Sequence, residues 1–369
     1  MYPYEQLSAL RALGDAVSGG LVDCSVGTPC DPPPPEALHA LATSGTERGY
    51  PASAGTLGYR RAASEYLRRV FGVEIDPSAI AACVGTKEMV ASTPQYLRLR
   101  DPSRDTVLYP SVSYPTYAMG ARLASCRAVP VPPSSPDGAG LDLGAIDPSD
   151  ARRALLLWVN SPANPSGGLT DLDAAAAWGR HHGVPIFSDE CYVAYTWEGR
   201  PRSILQSGSD GVIAVHSVSK RSNLAGLRAG FFAGDGALVA YLRDVRQHAG
   251  MMVPGPVQAA ASVAWSDDEH VHVQRTRYFE RLALLAGALS KAGCPTSVPA
   301  GSFYLWPAVP DRWIDGWAFA GDLARVSGLL VSPGDLYGAD GAGHVRIAVV
   351  QPTERIALVA ERLASSGWG

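Results

Sequence analysis

From about Ala79 onward, short apolar runs of β-prone residues alternate with stretches of helical spacing, and this alternation constrains the fold more than any other feature of the chain. The runs are AIAACVG, TVLYP, RAVPVP, ALLLWVN, PIFSDE, GVIAVHSV and AGFFAG. Strands bounded by turn residues and separated by helices predict an α/β fold with a mainly parallel central sheet in a large domain. After about Ala261 the pattern changes. A long charged amphipathic helix, DDEHVHVQRTRYFERLALLAGALSKAG, precedes GSFYLWPAV, a loop, GHVRIAVV and a final helix. This predicts a smaller α+β domain. The proline run CDPPPPEALHA is a stiff connector that caps the next helix and sets the N-terminal segment apart. The expected division is residues 31–261 for the large domain, and residues 1–30 with 262–369 for the small one. No repeat at a fixed period suggests a solenoid.

With 369 residues the chain can build a large core. A net charge of −4 argues against a surface for nucleic acid or anionic lipid. No apolar run approaches the roughly 20 residues of a membrane span. The start, MYPYEQLSAL, lacks the charged and apolar regions of a signal peptide. The six cysteines form no CxxC pair, which suggests reduced thiols in a cytoplasmic protein with no metal site. Reduced thiols are expected over a pairing of Cys24 with Cys30.

In α/β sheets ligands gather at the carboxyl ends of strands, so the residues that follow each run carry the chemistry. Gly85 and Thr86 stand between AIAACVG and a helical stretch, where backbone N–H groups and the helix dipole favour an anion. This is neither a Walker A loop nor a GxGxxG fingerprint. After ALLLWVN, prolines stiffen NSPANPSGG and hold Asn160 and Asn164. After PIF comes Asp189, whose burial is costly without a cation or donors, with Tyr192 three residues on. After GVIAVHSV come Ser217, Lys220 and Arg228. A lysine held at a strand end in a partly apolar pocket has a lowered pKa and becomes a nucleophilic amine. Arg346, inside the apolar run of GHVRIAVV, calls for an anionic partner, and its planar fork suits a carboxylate.

Each feature has an ordinary explanation taken alone: a strand-to-helix turn, a turn-rich loop, a capping aspartate, a solvated lysine, a structural salt bridge. Together they describe a ligand with a phosphate, an aromatic ring bearing a basic nitrogen, and an aldehyde that a lysine can capture. That ligand is pyridoxal 5′-phosphate.

The chain resembles the fold-type I aminotransferases of the aspartate aminotransferase superfamily over nearly its whole length. NSPANPSG is similar to the family's N-x-P-x-N-P-[ST]-G, SDECY to D-x-x-Y, and SVSKRSNLAGLRAG to S-x-S-K-x-x-x-x-x-G-x-R-x-G. YPASAGTLGYR is similar to Y-x-x-x-x-G-x-x-x-L-R, with Tyr59 where leucine is usual, a departure expected to affect packing only. The resemblance implies that Lys220 captures the cofactor and moves the proton, and that Asp189 holds the ring nitrogen. Tyr192 and Asn164 would bond its phenolic oxygen, and Tyr114 in SYPTY would stack on the ring. Gly85, Thr86, Lys87, Ser217 and Arg228 would line the phosphate end, with Tyr50 reaching in from the second subunit of a homodimer. Arg346 would clamp the substrate α-carboxylate beside the backbone of Gly27. The wording HSVSKRSNLAGLRAGF, VGTKE and SYPTY is most similar to succinyldiaminopimelate aminotransferases. That implies transfer from N-succinyl-LL-2,6-diaminopimelate to 2-oxoglutarate, in lysine and diaminopimelate biosynthesis. The family also holds aminotransferases for aspartate, aromatic acids or alanine, C–S β-lyases, and effector-sensing regulators. The regulators carry a fused DNA-binding domain and a basic surface, unlike this acidic chain.

Overall fold

The computed structural model describes residues 7–366. Its strands are β1 Val22–Asp23, β2 Ile80–Cys83, β3 Thr106–Pro110, β4 Arg127–Val131, β5 Ala154–Asn160, β6 Ile186–Asp189, β7 Val212–Ser217, β8 Gly230–Gly234, β9 Tyr304–Leu305, β10 Leu329–Leu330, β11 Ser332–Pro333 and β12 Val345–Ala348. All seven expected runs enter one seven-stranded sheet, ordered β2-β8-β7-β6-β5-β3-β4. Every residue of β5, β6 and β7 is buried. This is the signature of central strands covered on both faces, and explains their unbroken apolar character.

One strand runs against the others. β8 is antiparallel to both β7 and β2, while the pairs from β7 through β4 are parallel. The amino end of β8 therefore lies at the same sheet edge as the carboxyl ends of the rest. Gly230 opposes Cys83 on one side and Ser217 on the other. A Cβ there would lie 3.1 Å from Cys83 Sγ, so the close approach of three strands needs this glycine. Tyr59 is fully buried and its phenol donates to the Gly230 carbonyl at 2.6 Å. The tyrosine at the usual leucine position thus does more than pack: it satisfies a buried carbonyl at the strand junction.

Helices cover both sheet faces. Leu57–Phe71, Leu172–His182 and Gly255–Ser266 supply apolar residues to one core layer; Thr86–Arg100, Thr116–Leu123 and Gly236–His248 supply the other. A third apolar cluster joins residues of the first 24 to the helices Glu269–Lys291, Gly316–Ser327 and Thr353–Ser365. There β1 pairs with β10, and β12 lies between β11 and β9. The proline run ends as expected, with Pro34 at the cap and Pro35 opening the helix Pro35–Thr43. Asp31 binds Arg281 through two hydrogen bonds of 2.7 and 2.8 Å, which ties the connector to the long helix. All six cysteines are free, and among the described residues no helix is long and apolar enough to cross a membrane.

Candidate active site

A cavity of about 350 Å³ opens at the sheet edge where β5, β6 and β7 end and β8 begins. Gly27, Thr86, Lys87, Tyr114, Asn164, Asp189, Tyr192, Lys220, Arg228 and Arg346 all line it. The segments after five strands, β2, β3, β5, β6 and β7, thus converge on one space with Gly27 and Arg346.

Lys220 belongs to a single helical turn, Val218–Arg221, capped by the Ser217 hydroxyl. Its Nζ donates to the Gly27 carbonyl. Burial lowers its pKa from 10.5 to about 8; Cys191 opposes the shift, and the Arg346 and Arg228 cations add to it. The neutral, nucleophilic form is therefore far more accessible at ordinary pH than in a free lysine.

Asp189 ends β6 with its carboxylate buried. Oδ1 accepts from the Cys191 N–H at 3.1 Å and Oδ2 from the Tyr117 phenol at 3.2 Å. Burial still raises its pKa, against these hydrogen bonds, so the ionised form gains from a further cation or donor in the cavity. Asn160 holds this strand end to its neighbour. Its amide donates to the Asp189 carbonyl at 2.9 Å, and its Oδ1 accepts from the Asn164 N–H at 2.8 Å. The side chain of Asn164 is thereby presented to two groups. Its Nδ2 donates to the Tyr192 phenol at 3.4 Å, and its Oδ1 accepts from Arg346 Nη1 at 2.8 Å. Tyr192 Oη lies 2.9 Å from Tyr304 Oη, and burial pushes the Tyr192 phenol up.

Arg346 is buried on β12. Its Nη2 donates to the Ser25 carbonyl at 2.5 Å, and the guanidinium lies between the rings of Tyr304 and Tyr337, 4.4 and 4.7 Å from their centroids. Stacking and neutral acceptors hold the fork in place without themselves cancelling its charge.

At the opposite end, the helix Thr86–Arg100 begins at the cavity, with its first N–H groups lacking intrahelical partners. Arg228, at φ +54°, reaches Ser219 Oγ at 3.3 Å and the Val84 carbonyl at 3.1 Å. Gly85, at φ +77°, packs so tightly that a Cβ would lie 2.9 Å from Arg228 Cζ. Lys87 Nζ stands 5.6 Å from the centroid of the Tyr114 ring.

These residues fit pyridoxal phosphate. The buried Asp189 carboxylate suits a protonated ring nitrogen. Gly85 lets the Arg228 guanidinium approach the helix N-terminus, and a phosphate is stabilised where the two meet. Lys220 provides an amine with a lowered pKa for the aldehyde.

Three expected residues do not line this cavity: Gly85, which adjoins Thr86 and packs on Arg228, and Ser217 and Tyr50. Ser217 does not line the cavity; its hydroxyl donates to Ser219 Oγ at 2.7 Å, and Ser219 lines the wall instead. Tyr50 is fully exposed, on the wall of a separate cleft of about 1180 Å³ beside Tyr59 and Gln258. Sequence reasoning does not reach Tyr117, Tyr304 or Cys191. Tyr117 and Tyr304 belong to SYPTY and GSFYLWP, but nothing in the linear order joins either of them to Asp189 or Tyr192.

Residues 20–363 match the family Aminotransferase class I and II. The chain is 43% identical to 4-dedimethylamino-4-oxo-anhydrotetracycline transaminase OxyQ of Streptomyces rimosus, covering 98% of each chain. It is 41% identical to a probable aminotransferase of Mycobacterium tuberculosis, over 98% of this chain and 85% of that one. Among solved structures, a probable N-succinyldiaminopimelate aminotransferase of Thermus thermophilus superposes with a TM-score of 0.87 at 32% identity, covering 98% of this chain and 99% of the other.

Proposed function

We propose a substrate on the premise of family: this chain belongs to the class I and II aminotransferases. The family uses pyridoxal phosphate and acts on amino acids and 2-oxo acids. The donor proposed here is N-succinyl-LL-2,6-diaminopimelate and the acceptor 2-oxoglutarate, in a ping-pong transfer in lysine and diaminopimelate biosynthesis. The observation that carries the reading is the buried Arg346 in the same cavity as Lys220. Both substrates bear a carboxylate next to the reacting carbon, and both suit one guanidinium fork. The likeness to the Thermus thermophilus protein supports the succinylated donor.

When bound, the cofactor supplies an aldehyde that accepts the amino group and a ring that withdraws electrons from the reacting carbon. The chain's own groups do the rest. Asp189 holds the ring nitrogen in its protonated form. Tyr192 and Asn164 would bond the phenolic oxygen, and Tyr114 would stack on the ring. Thr86, Lys87, Arg228 and the Gly85 backbone hold the phosphate, with Ser217 supporting them through Ser219. Lys220 Nζ would take the proton from the substrate α-carbon and give it up at the cofactor carbon C4′. Gly27 and Arg346 orient the α-carboxylate so that this proton faces the lysine.

The protein acts as a cytoplasmic homodimer in this reading, with Tyr50 completing the phosphate site of the partner. Residues 31–261 form the large domain in this reading, and residues 1–30 with 262–369 the small one; Ala264 and Trp265 pack in the large domain's apolar cluster, and Cys191, Tyr192 and Tyr195 in the small one's.

A second reading has one observation in its favour, the 43% identity to OxyQ. It is amination of a polycyclic ketone, with an amino acid as donor. The test sets N-succinyl-LL-2,6-diaminopimelate, LL-2,6-diaminopimelate, aspartate and phenylalanine in competition as donors to 2-oxoglutarate, scored by glutamate formed. A parallel arm offers 4-dedimethylamino-4-oxo-anhydrotetracycline with glutamate as donor. The succinylated donor is expected to have the highest kcat/KM. A tenfold advantage for aspartate, phenylalanine or the ketone removes the proposed substrate and leaves the aminotransferase.

A further inference from the structure

A second cavity, of about 490 Å³, adjoins the first. Tyr114 lines both. Its opposite wall includes Tyr337, whose ring packs against the guanidinium of Arg346. The two spaces thus share Tyr114, and Tyr337 stands at both Arg346 and the second one. Two contacts hold its walls together: Ser113 N–H donates to the Tyr337 carbonyl at 2.9 Å, and Ser111 Oγ to Asp340 at 2.6 Å. The cavity is therefore built by the fold and not left by a loose loop.

Its chemistry is one-sided. Arg122 is the one formally charged residue among those lining it. Tyr109, Ser111 and Ser113 add hydroxyls, and Tyr109 lies close enough to Arg122 for the cation to offset part of the rise that burial imposes on its phenol. The first cavity, at about 350 Å³, is at the small end of ligand sites. In this reading it takes the cofactor and the reacting end of the substrate, so a long acyl arm calls for further room.

We propose that the second cavity takes the far arm of the amino donor and that Arg122 reads a carboxylate on it, so that the substrate class is α-amino acids with a long anionic arm. The inference rests on the reading of Arg346 as the α-carboxylate clamp. N-succinyl-LL-2,6-diaminopimelate belongs to this class, since its arm carries two further carboxylates. The Arg122 side chain is exposed, so its charge is partly hydrated and its effect is moderate, about tenfold.

The test compares the holoenzyme with Arg122→Ala and Arg122→Lys. KM for the succinylated donor is expected to rise about tenfold in Arg122→Ala, with kcat within about twofold. The change for Nε-acetyl-lysine, whose arm is long but neutral, and for glutamate should be several times smaller. Arg122→Lys should recover most of the loss, because this site needs charge more than a fork. Titration calorimetry with 2-(succinylamino)heptanedioate, which lacks the reacting amine, should show the same loss of affinity without turnover. An unchanged calorimetric affinity in Arg122→Ala overturns the proposal. If the wild type rejects the succinylated donor yet Arg122→Ala still loses affinity for the analogue, the specific donor is wrong and the anionic-arm site stands. If turnover of the succinylated donor is normal in Arg122→Ala, the donor stands and the site falls.

Discussion

Arg346 Nη1 donates to Asn164 Oδ1 at 2.8 Å, joining a β12 residue to the loop that follows β5. The group assigned to the substrate carboxylate and a group assigned to the cofactor oxygen therefore share a hydrogen bond. Removing either alters the other's position.

Arg346→Ala should lower kcat/KM in both half-reactions. Losing one half of a buried, charge-assisted pair costs about 2–5 kcal/mol. Arg346→Lys should recover little, since an ammonium lacks the fork and stacks poorly between Tyr304 and Tyr337. Stopped-flow traces of each half-reaction measure this. A selective loss with one substrate only would contradict a shared clamp.

Lys220 should titrate near pH 8. Burial, Arg346 and Arg228 disfavour its charged form, so the reactive amine grows in as pH rises through about 8 and not through 10.5. The rate of pyridoxal phosphate capture by the cofactor-free protein, fixed by borohydride, should follow that midpoint. Arg346→Leu removes one cation and should move the midpoint upward. Lys220→Ala should capture nothing and keep its circular dichroism spectrum.

Gly85→Ala should weaken cofactor binding. The new methyl meets the Arg228 guanidinium at a backbone conformation of φ +77°, which alanine adopts only under strain. Equilibrium dialysis should show release of pyridoxal phosphate at concentrations where the wild type stays loaded. Wild-type retention would mean that the phosphate lies away from this turn.

Tyr50 is exposed in one subunit, so a composite site predicts complementation. Mixing Tyr50→Phe with Lys220→Ala chains should yield hybrid dimers with one intact site and recovered activity. Proven subunit exchange with no recovery counts against sharing.

Much of the site is legible in the sequence because each chemical group follows a strand whose apolar run marks its own end. Asn164, Asp189, Tyr192 and Lys220 can be found that way, and Arg228 by its place in the same motif as Lys220. Ser217 is the first hydroxyl of its motif, but it ends β7 and caps the turn Val218–Arg221, and Ser219, on that turn, is the one that faces the cavity. Tyr304 and Tyr117 are unreadable because their partners, Tyr192 and Asp189, lie 112 and 72 residues away.

The alternation of apolar runs and helices, by itself, determined a layered α/β fold, because buried strands and amphipathic helices advertise their faces through periodicity. Residue order also determined which groups stand at strand ends. Tertiary structure alone decided that β8 runs backward, so that Arg228, placed before a strand, meets residues placed after others. A strand's direction depends on which neighbours it bonds, and its own residues carry no record of that choice. The same holds for Arg346. Its sequence position calls for an anion, but the fold surrounds it with an amide, a carbonyl and two aromatic rings, which fix the guanidinium without themselves cancelling its charge.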